Sequence, residues 1–155
     1  MPPRFIQSIA DLSNRWRSRV WLGKDSSRLS ETARRGRLGE NEACRFLRKK
    51  GYKILYRNFK VRTGGEIDIV CRDRETLVFV EVKTRGTEYF GRPISAVYPD
   101  QQRRISRGAL AWLRMLDNPE IVFRFDVVEV ILDEDEQPSV ELIQNAFELS
   151  KPYMY

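Results

Sequence analysis

The chain has 155 residues, 41% of them hydrophobic and 32% charged, which is enough apolar material for one compact core and excludes disorder throughout. It contains no histidine. This excludes histidine-based nucleophile triads, histidine general bases and the usual zinc sites. The net charge is +6, and the excess lies in residues 1–37, where nine basic side chains stand against three acidic ones.

Residues 4–22 are predicted to form a basic amphipathic helix, because apolar side chains recur there near helical spacing with arginines between them. The segment lacks the long uncharged run of a membrane span or a secretory signal peptide. Several interpretations stay open: a helix packed on the domain, an organelle transit peptide, or a contact with anionic lipid, nucleic acid or a protein partner. A linker at 23–30 separates residues 1–30 from a domain predicted for residues 31–150.

The domain is predicted to follow the order α-β-β-β-α-β-β. Ser30 and Gly51 bracket a first helix from about Glu31 to Lys50. Short β-branched and aromatic segments divided by turn residues then predict a three-stranded meander. The predicted strands of the meander are Ile54 to Arg62, Glu66 to Cys71 and Leu77 to Lys83. A second helix from about Gln101 to Leu116 and strands at Val122 to Leu132 and Val140 to Ile143 complete the order.

Cys44 and Cys71, the only cysteines, lack CxxC spacing and lie among apolar residues. Thiols in such positions usually pack as small hydrophobic side chains. A reducing, cytoplasmic setting is therefore expected.

Two carboxylates interrupt apolar strands. Alternation places Asp68 in mid-strand, with Ile67 and Ile69 on the opposite face, and places Glu81 and Lys83 together on one face of the next strand. If residues 73–76 form a four-residue loop, Arg72 pairs with Leu77 and Asp68 lies directly across from Glu81. A two-residue loop is expected to shift the pairing but keep the acids on the same face, whereas an unbulged three-residue loop would separate them. Like charges at that spacing repel unless a cation lies between them.

Asp68 and Glu81 are therefore predicted metal ligands, with Mg²⁺ or Mn²⁺ as the expected cofactor, because these cations prefer carboxylate and water oxygens. Lys83 is placed to hold an attacking water or to stabilise charge on a phosphate in the transition state. Metal-dependent hydrolysis of a phosphodiester needs these parts. The simpler alternative, which explains most isolated Glu-x-Lys sequences, is a solvated strand face with an ion pair.

A third carboxylate, Glu40, shares the apolar stripe of the first helix with Ala43, Cys44 and Leu47 and is predicted to point toward the sheet. We interpret it as a catalytic group, either an outer ligand or a residue that positions water. Taken alone, it would be explained more simply as a buried glutamate satisfied by an arginine or an amide.

Basic and polar side chains near these acids are predicted to contact nucleic acid: Arg85, Gln101, Arg103, Arg104 and Arg107. For each arginine taken singly, an ordinary solvated helix position is the alternative. The segment from Thr84 to Tyr98 follows Lys83 directly and is expected to lie over the site. Its aromatic residues Tyr89 and Phe90 suit base stacking, or else anchor the loop on the core.

The combined motifs resemble the YraN-like family of bacterial proteins, within the PD-(D/E)xK nuclease superfamily that includes restriction endonucleases and archaeal Holliday junction resolvases. The resemblance covers about residues 34 to 147 and rests on Gly39-Glu40, Gly65-Glu66-Ile67-Asp68, Phe79-Val80-Glu81-Val82-Lys83-Thr84-Arg85, Gln102-Arg103-Arg104-Ile105, Phe125-Asp126-Val127-Val128 and Asn145-Ala146-Phe147.

This resemblance implies a restriction-endonuclease-like α/β fold, with a central mixed sheet flanked by helices. Asp68 matches the superfamily's variable Asp, Glu81 and Lys83 match its (D/E)xK motif, and Glu40 matches its helix-one Glu. Asp100-Gln101 stands where a Lys is common in the family, which would weaken the grip on substrate more than metal binding.

The expected function is metal-dependent cleavage of nucleic acid, with DNA in repair, recombination or processing as the expected setting. Two other classes stay open. One is a nucleic-acid-binding module of nuclease fold without turnover, and the other is an adaptor that uses residues 4–22 on a membrane or a partner. Without a visible base-reading motif, contact with nucleic acid is expected to be sequence-tolerant or structure-selective.

Overall fold

A computed structural model describes residues 30–91 and 96–153. The helix predicted for residues 4–22 lies outside the described residues. The described chain follows the predicted order: α1 (Glu31–Lys49), β1 (Lys53–Lys60), β2 (Glu66–Asp73), β3 (Thr76–Arg85), α2 (Pro99–Met115), β4 (Phe123–Ile131) and β5 (Ser139–Phe147). A short 3₁₀ helix at Thr87–Tyr89 lies within the predicted loop. No helix within the described ranges is long and apolar enough to cross a membrane.

The five strands form one mixed sheet in the order β1-β2-β3-β4-β5. β3 and β4 are parallel because α2 carries the chain back across the sheet, whereas all other neighbours are antiparallel. β5 extends beyond the predicted Ile143 to Phe147, since it pairs with β4 past an irregularity near Phe125. The sheet confirms the mixed α/β fold predicted from the sequence.

The two helices cover opposite faces of the sheet. α1 begins at Ser30, whose Oγ accepts a hydrogen bond from Ala33 N at 3.2 Å, and the chain turns after it at Gly51, which has a φ of 89°. Its stripe of small and apolar side chains packs on one face of the sheet: Ala43, Cys44 and Leu47. α2 buries a larger set on the other face: Ile105, Ala109, Trp112 and Leu113. Both cysteines are buried, as predicted.

The β2–β3 hairpin corrects one prediction and confirms another. Asp73 pairs with Thr76, so the loop has two residues rather than the four predicted. The first of them, Arg74, has a φ of 54°, as a tight hairpin turn requires. Arg72 still pairs with Leu77, as predicted for the four-residue loop, because the shorter loop has the same centre and keeps the register. The expectation that a two-residue loop shifts the pairing is wrong.

The predicted alternation in β2 fails around Asp68. Ile69 packs on the α1 side, but Ile67 packs with Val70 on the α2 side. Strand pairing between β2 and β3 ends at Ile69 and Val80. The prediction that Ile67 and Ile69 share a face is therefore wrong, because the two strands separate at this point.

Candidate active site

Asp68 and Glu81, which we call the acidic pair, lie where β2 and β3 separate. Instead of a further backbone pair, the Oδ2 of Asp68 accepts a hydrogen bond from Val82 N at 2.8 Å. Asp68 thus occupies the gap with its side chain, while Glu81 on β3 is only 7% exposed. The register brings the two carboxyl groups together as predicted, although the backbone ladder stops one position short of them.

The electrostatics of this pair are unfavourable for two negative charges. Burial raises the pKa of Asp68 to about 6, and the neighbouring charges of Glu40 and Glu66 add to that rise. Burial and then the charge of Asp68 raise the pKa of Glu81 to about 8, and a side-chain hydrogen bond with Asp68 contributes to it. At neutral pH the pair therefore retains a proton unless a cation compensates its charge.

Lys83 lies beside the acids in a nearly closed position. It is 7% exposed, and its Nζ donates to the carbonyl oxygen of Ala96 at 2.8 Å. The same ammonium lies 5.8 Å from the ring centroid of Tyr98. Burial lowers the pKa of Lys83, as does the charge of Arg85, while Glu81 raises it. The lysine is thus held between the acidic pair and the start of α2.

Arg104 reaches the acidic pair from α2. Its Nη2 lies 3.5 Å from the Oε1 of Glu81, and its charge lowers the pKa of both acids. Within the described part of the chain, its buried Nε has no hydrogen-bond partner. The sequence predicted Arg104 only as a contact for nucleic acid. Its position directly before Ile105 and four residues before Gly108, both buried on α2, was the signal that it lies toward the sheet.

Glu40 borders the site rather than joining the acidic pair. Its Oε2 accepts a hydrogen bond from Asn58 Nδ2 at 2.9 Å and lies 3.6 Å from Arg57 Nη2. These contacts match the simpler explanation, a glutamate satisfied by an amide and an arginine. Its charge nevertheless contributes to the raised pKa of Asp68.

Gly39 explains how α1 comes so close to the site. A Cβ at Gly39 would lie 1.8 Å from Thr84 Oγ1, next to Lys83 on β3. Only glycine allows the helix to approach the strand at this distance. The glycine before Glu40 therefore determines how near that carboxylate lies to the acidic pair.

The other residues predicted to contact nucleic acid lie around this centre. Arg85 is 3.7 Å from Glu129 and lies over the ring of Tyr89. The Oε1 of Gln101 accepts from the backbone N–H of Tyr98 at 3.3 Å, so this side chain caps α2. On the same helix, Arg103 pairs with Asp100 on the surface, and Arg107 donates to the carbonyl of Gly64 at 3.3 Å.

Glu129 was not predicted from the sequence as part of the site. It is 4% exposed, lies beside Lys83 in the parallel ladder, and burial raises its pKa. A charged residue inside the apolar β4 segment was the signal for it. Because its charge also raises the pKa of Lys83, it belongs to the same electrostatic group as the predicted site.

A second charged cluster lies near the β2–β3 hairpin, and we call it the Arg124 cluster. Arg124 donates from Nε to Asp126 at 2.9 Å, and from Nη2 to Asp73 at 3.0 Å and to the Tyr52 hydroxyl at 2.8 Å. Gln144 donates to the same hydroxyl at 2.7 Å. A cavity of about 630 Å³ adjoins this cluster, and its lining includes none of the sequence-predicted site residues.

The donor set of the acidic pair suits a hard divalent cation. Among the described residues, no group of three His, Cys, Asp or Glu side chains is arranged to hold a metal ion. Asp68 and Glu81 offer two carboxylates, and such a pair leaves the remaining positions of Mg²⁺ or Mn²⁺ to water and phosphate oxygens. The raised pKa of both acids fits this group, because a cation would supply the charge that the pair lacks.

Comparison with known proteins places these residues within one family match. The model of the uncharacterised protein family UPF0102 matches residues 39–130, which include both acids, Lys83 and Arg104. A UPF0102 protein of Trichlorobacter lovleyi is 48% identical over 74% of this chain and 91% of its own length. One from Geobacter sulfurreducens is 49% identical over 72% of this chain and 87% of its own length, and one from Syntrophus aciditrophicus is 46% identical over 79% and 95%.

Proposed function

The chain belongs to the uncharacterised protein family UPF0102, which the sequence motifs identify as YraN-like, and we propose that it is a metal-dependent nuclease. It would hydrolyse phosphodiester bonds in nucleic acid, with DNA as the first substrate to test. The observation that carries this proposal is the acidic pair, in which half-buried Asp68 and buried Glu81, both with raised pKa values, lie beside a buried lysine. A purely structural pair would cost stability without such a use.

The proposed cofactor is Mg²⁺ or Mn²⁺, held by Asp68 and Glu81. When bound, the cation would supply positive charge to a phosphate oxygen and would lower the pKa of a bound water molecule toward neutral pH. Asp68 is oriented for this role by the hydrogen bond from Val82 N to its Oδ2. Ligands held in advance lose less entropy when the metal binds.

The proposed role of Lys83 is to orient the attacking water or to stabilise negative charge on the phosphate. Burial among Glu81, Glu129 and Arg85 keeps its ammonium in one position. Arg104, which already lies at Glu81, is the nearest guanidinium for a phosphate oxygen. Glu40 lies further out and is assigned the positioning of water, with Asn58 and Arg57 fixing its carboxylate.

The test is a cleavage panel with purified full-length protein on plasmid, single-stranded and branched DNA, with Mg²⁺ or Mn²⁺ and with EDTA. The wild-type protein is expected to nick or cut at least one substrate only when the metal is present. Asp68→Ala is expected to lower the cleavage rate by at least about a thousandfold, since it removes a metal ligand and the group that receives Val82 N–H.

Glu75→Ala is the matched control, because Glu75 is an exposed acid in the β2–β3 turn. It should cleave as the wild type does, and circular dichroism should show both variants folded. Cleavage that survives Asp68→Ala would contradict the proposal. Salt-sensitive DNA binding that persists in EDTA, with no product under any metal, would instead indicate a binding module without turnover.

A further inference from the structure

Two aromatic side chains are exposed on the segment that connects Lys83 to α2. Phe90 is 70% exposed and Tyr98 is 68% exposed. Tyr89, directly before Phe90 in the same segment, is half-buried and packs against Arg85. Phe90 therefore does not anchor the loop on the core, which was the alternative left open by the sequence. Large exposed aromatic surfaces are unfavourable in water unless something covers them.

The Tyr98 ring lies at the candidate active site. The Lys83 ammonium is 5.8 Å from the ring centroid, and the same ammonium donates to the carbonyl of Ala96, two residues before the tyrosine. Tyr98 is thus an exposed aromatic side chain that lies against a proposed catalytic group. A ligand that covers this ring must also lie beside Lys83.

The backbone under this ring is held in place. Tyr98 N donates to Gln101 Oε1 at 3.3 Å, and the Tyr98 carbonyl accepts from Gln102 N at 2.9 Å as the first turn of α2 forms. The Gln102 side chain also donates to the carbonyl of Val97 at 2.9 Å. The ring therefore starts from a fixed helix terminus, and a fixed platform loses little entropy when a ligand stacks on it.

A flat aromatic surface beside buried and half-buried cations fits a nucleobase attached to a phosphate. Lys83 supplies positive charge at the ring. Arg85 acts on Lys83 and Arg104 pairs with Glu81, so further positive charge lies around the site, which suits a phosphate backbone. In a continuous duplex both faces of each base are covered by its neighbours, so only an unpaired base has a face for Tyr98. Stacking of a base on an aromatic side chain raises affinity by roughly five- to 150-fold.

We propose that Tyr98 is the stacking platform for an unpaired base next to the phosphate bound at the acidic pair. The preferred substrate is then nucleic acid that is single-stranded at the site, rather than a continuous duplex. This proposal rests on the proposed function, because it uses the same phosphate site. Phe90, the second exposed ring in the segment, is the candidate platform for a neighbouring base.

Binding, rather than cleavage, tests the platform. The probe is a single-stranded oligodeoxynucleotide that carries the fluorescent base 2-aminopurine, compared with a blunt duplex of the same sequence, both in EDTA. The full-length wild-type protein is expected to bind the single strand more tightly and to quench the 2-aminopurine at one position. Tyr98→Ala should weaken single-strand binding by about tenfold and abolish the quenching, while duplex binding stays unchanged.

Tyr98→Phe is the matched control, since it keeps the ring and removes only the hydroxyl group. It should bind and quench as the wild type does. Phe90→Ala should weaken single-strand binding less than Tyr98→Ala does. Circular dichroism checks that each variant is folded.

The platform is overturned if Tyr98→Ala binds the single strand as the wild type does, if it weakens single-strand and duplex binding equally, or if Tyr98→Phe loses as much as Tyr98→Ala. These results do not depend on turnover. Quenching at Tyr98 without cleavage under any metal would contradict the proposed nuclease and support the platform. Metal-dependent cleavage without Tyr98-dependent quenching would do the reverse.

Discussion

The Arg124 cluster and the acidic pair differ in how their charges are balanced. In the Arg124 cluster, one guanidinium binds two carboxylates, and its hydrogen bonds to Asp126 and Asp73 outweigh the effect of burial and raise the pKa of Arg124. In the acidic pair, burial raises the pKa of both carboxylates. The charge of Asp68 adds to the rise at Glu81, and the charges of Glu40 and Glu66 add to the rise at Asp68. Arg104 reaches only one of these acids, at 3.5 Å.

The difference separates a charge cluster whose carboxylates are balanced by a cation of the chain from one for which we propose a metal ion. The Arg124 cluster has its cation built in, and its members hold β2, β4 and β5 together near the hairpin. The acidic pair lacks an equivalent cation and sits where two strands separate. A protein keeps such an unbalanced site only at a cost in stability, which is a common property of functional sites. The comparison can be tested at both clusters.

The largest expected effect comes from removing the cation of the Arg124 cluster. Arg124→Ala leaves the fully buried Asp126 without the cation that pairs with it, so the free energy of unfolding should fall by about 3–5 kcal/mol. Urea denaturation measures this. Arg114→Ala, an exposed arginine on α2, should change stability by less than about 0.5 kcal/mol. Equal effects of the two substitutions would show that the cluster is not structural.

The next effect concerns the approach of α1 to the acidic pair. In Gly39→Ala the new methyl group would collide with Thr84, so the helix must move away, at a cost of about 1–3 kcal/mol in stability. Metal-dependent cleavage should fall as well, because Glu40 moves with the helix. Gly36→Ala is the matched control, since nothing lies within 4 Å of the new Cβ, and it should stabilise α1 by about 0.5–1 kcal/mol. An active, stable Gly39→Ala protein would contradict the close approach.

Neutralising one acid should stabilise the metal-free protein. Glu81→Gln removes the repulsion with Asp68 while keeping the size of the side chain, and a gain of about 1–2 kcal/mol at pH 8 is expected. Mn²⁺ is expected to raise the melting temperature of the wild type, and the same variant should not show this rise. Glu88→Gln, on an exposed acid, serves as the control in both melts. A destabilised Glu81→Gln protein would show that the pair resembles the Arg124 cluster instead.

The smallest effect is the dependence of stability on pH. The unfolded carboxyl groups titrate near 3.8 and 4.5, whereas the folded pKa values are about 6 for Asp68 and about 8 for Glu81. The folded state therefore binds more protons across this window, and stability falls as pH rises from about 4 to 8. The melting temperature of the metal-free wild type should drop about 5 °C more than that of Glu81→Gln. Parallel pH profiles of the two proteins would contradict the raised pKa of Glu81.

The sequence by itself determined the elements and the register that bring the acids together. Ser30 and Gly51 bound α1 through local capping and turn geometry, and the alternation along β3 places Glu81 and Lys83 on one face. The even hairpin loop sets the pairing of Arg72 with Leu77, which brings Asp68 near Glu81. These features depend on residues close together in the chain, where periodicity and turn chemistry determine the conformation.

Only the tertiary structure decided which groups surround that pair. Arg104, Glu129 and Glu40 come from α2, β4 and α1, and their distances from the acids depend on how the helices pack on the sheet. The end of pairing at Ile69, the close approach at Gly39 and the exposure of Tyr98 are likewise set by contacts between distant segments. Such contacts leave no periodic pattern in the sequence, because each arises from the joint shape of several elements.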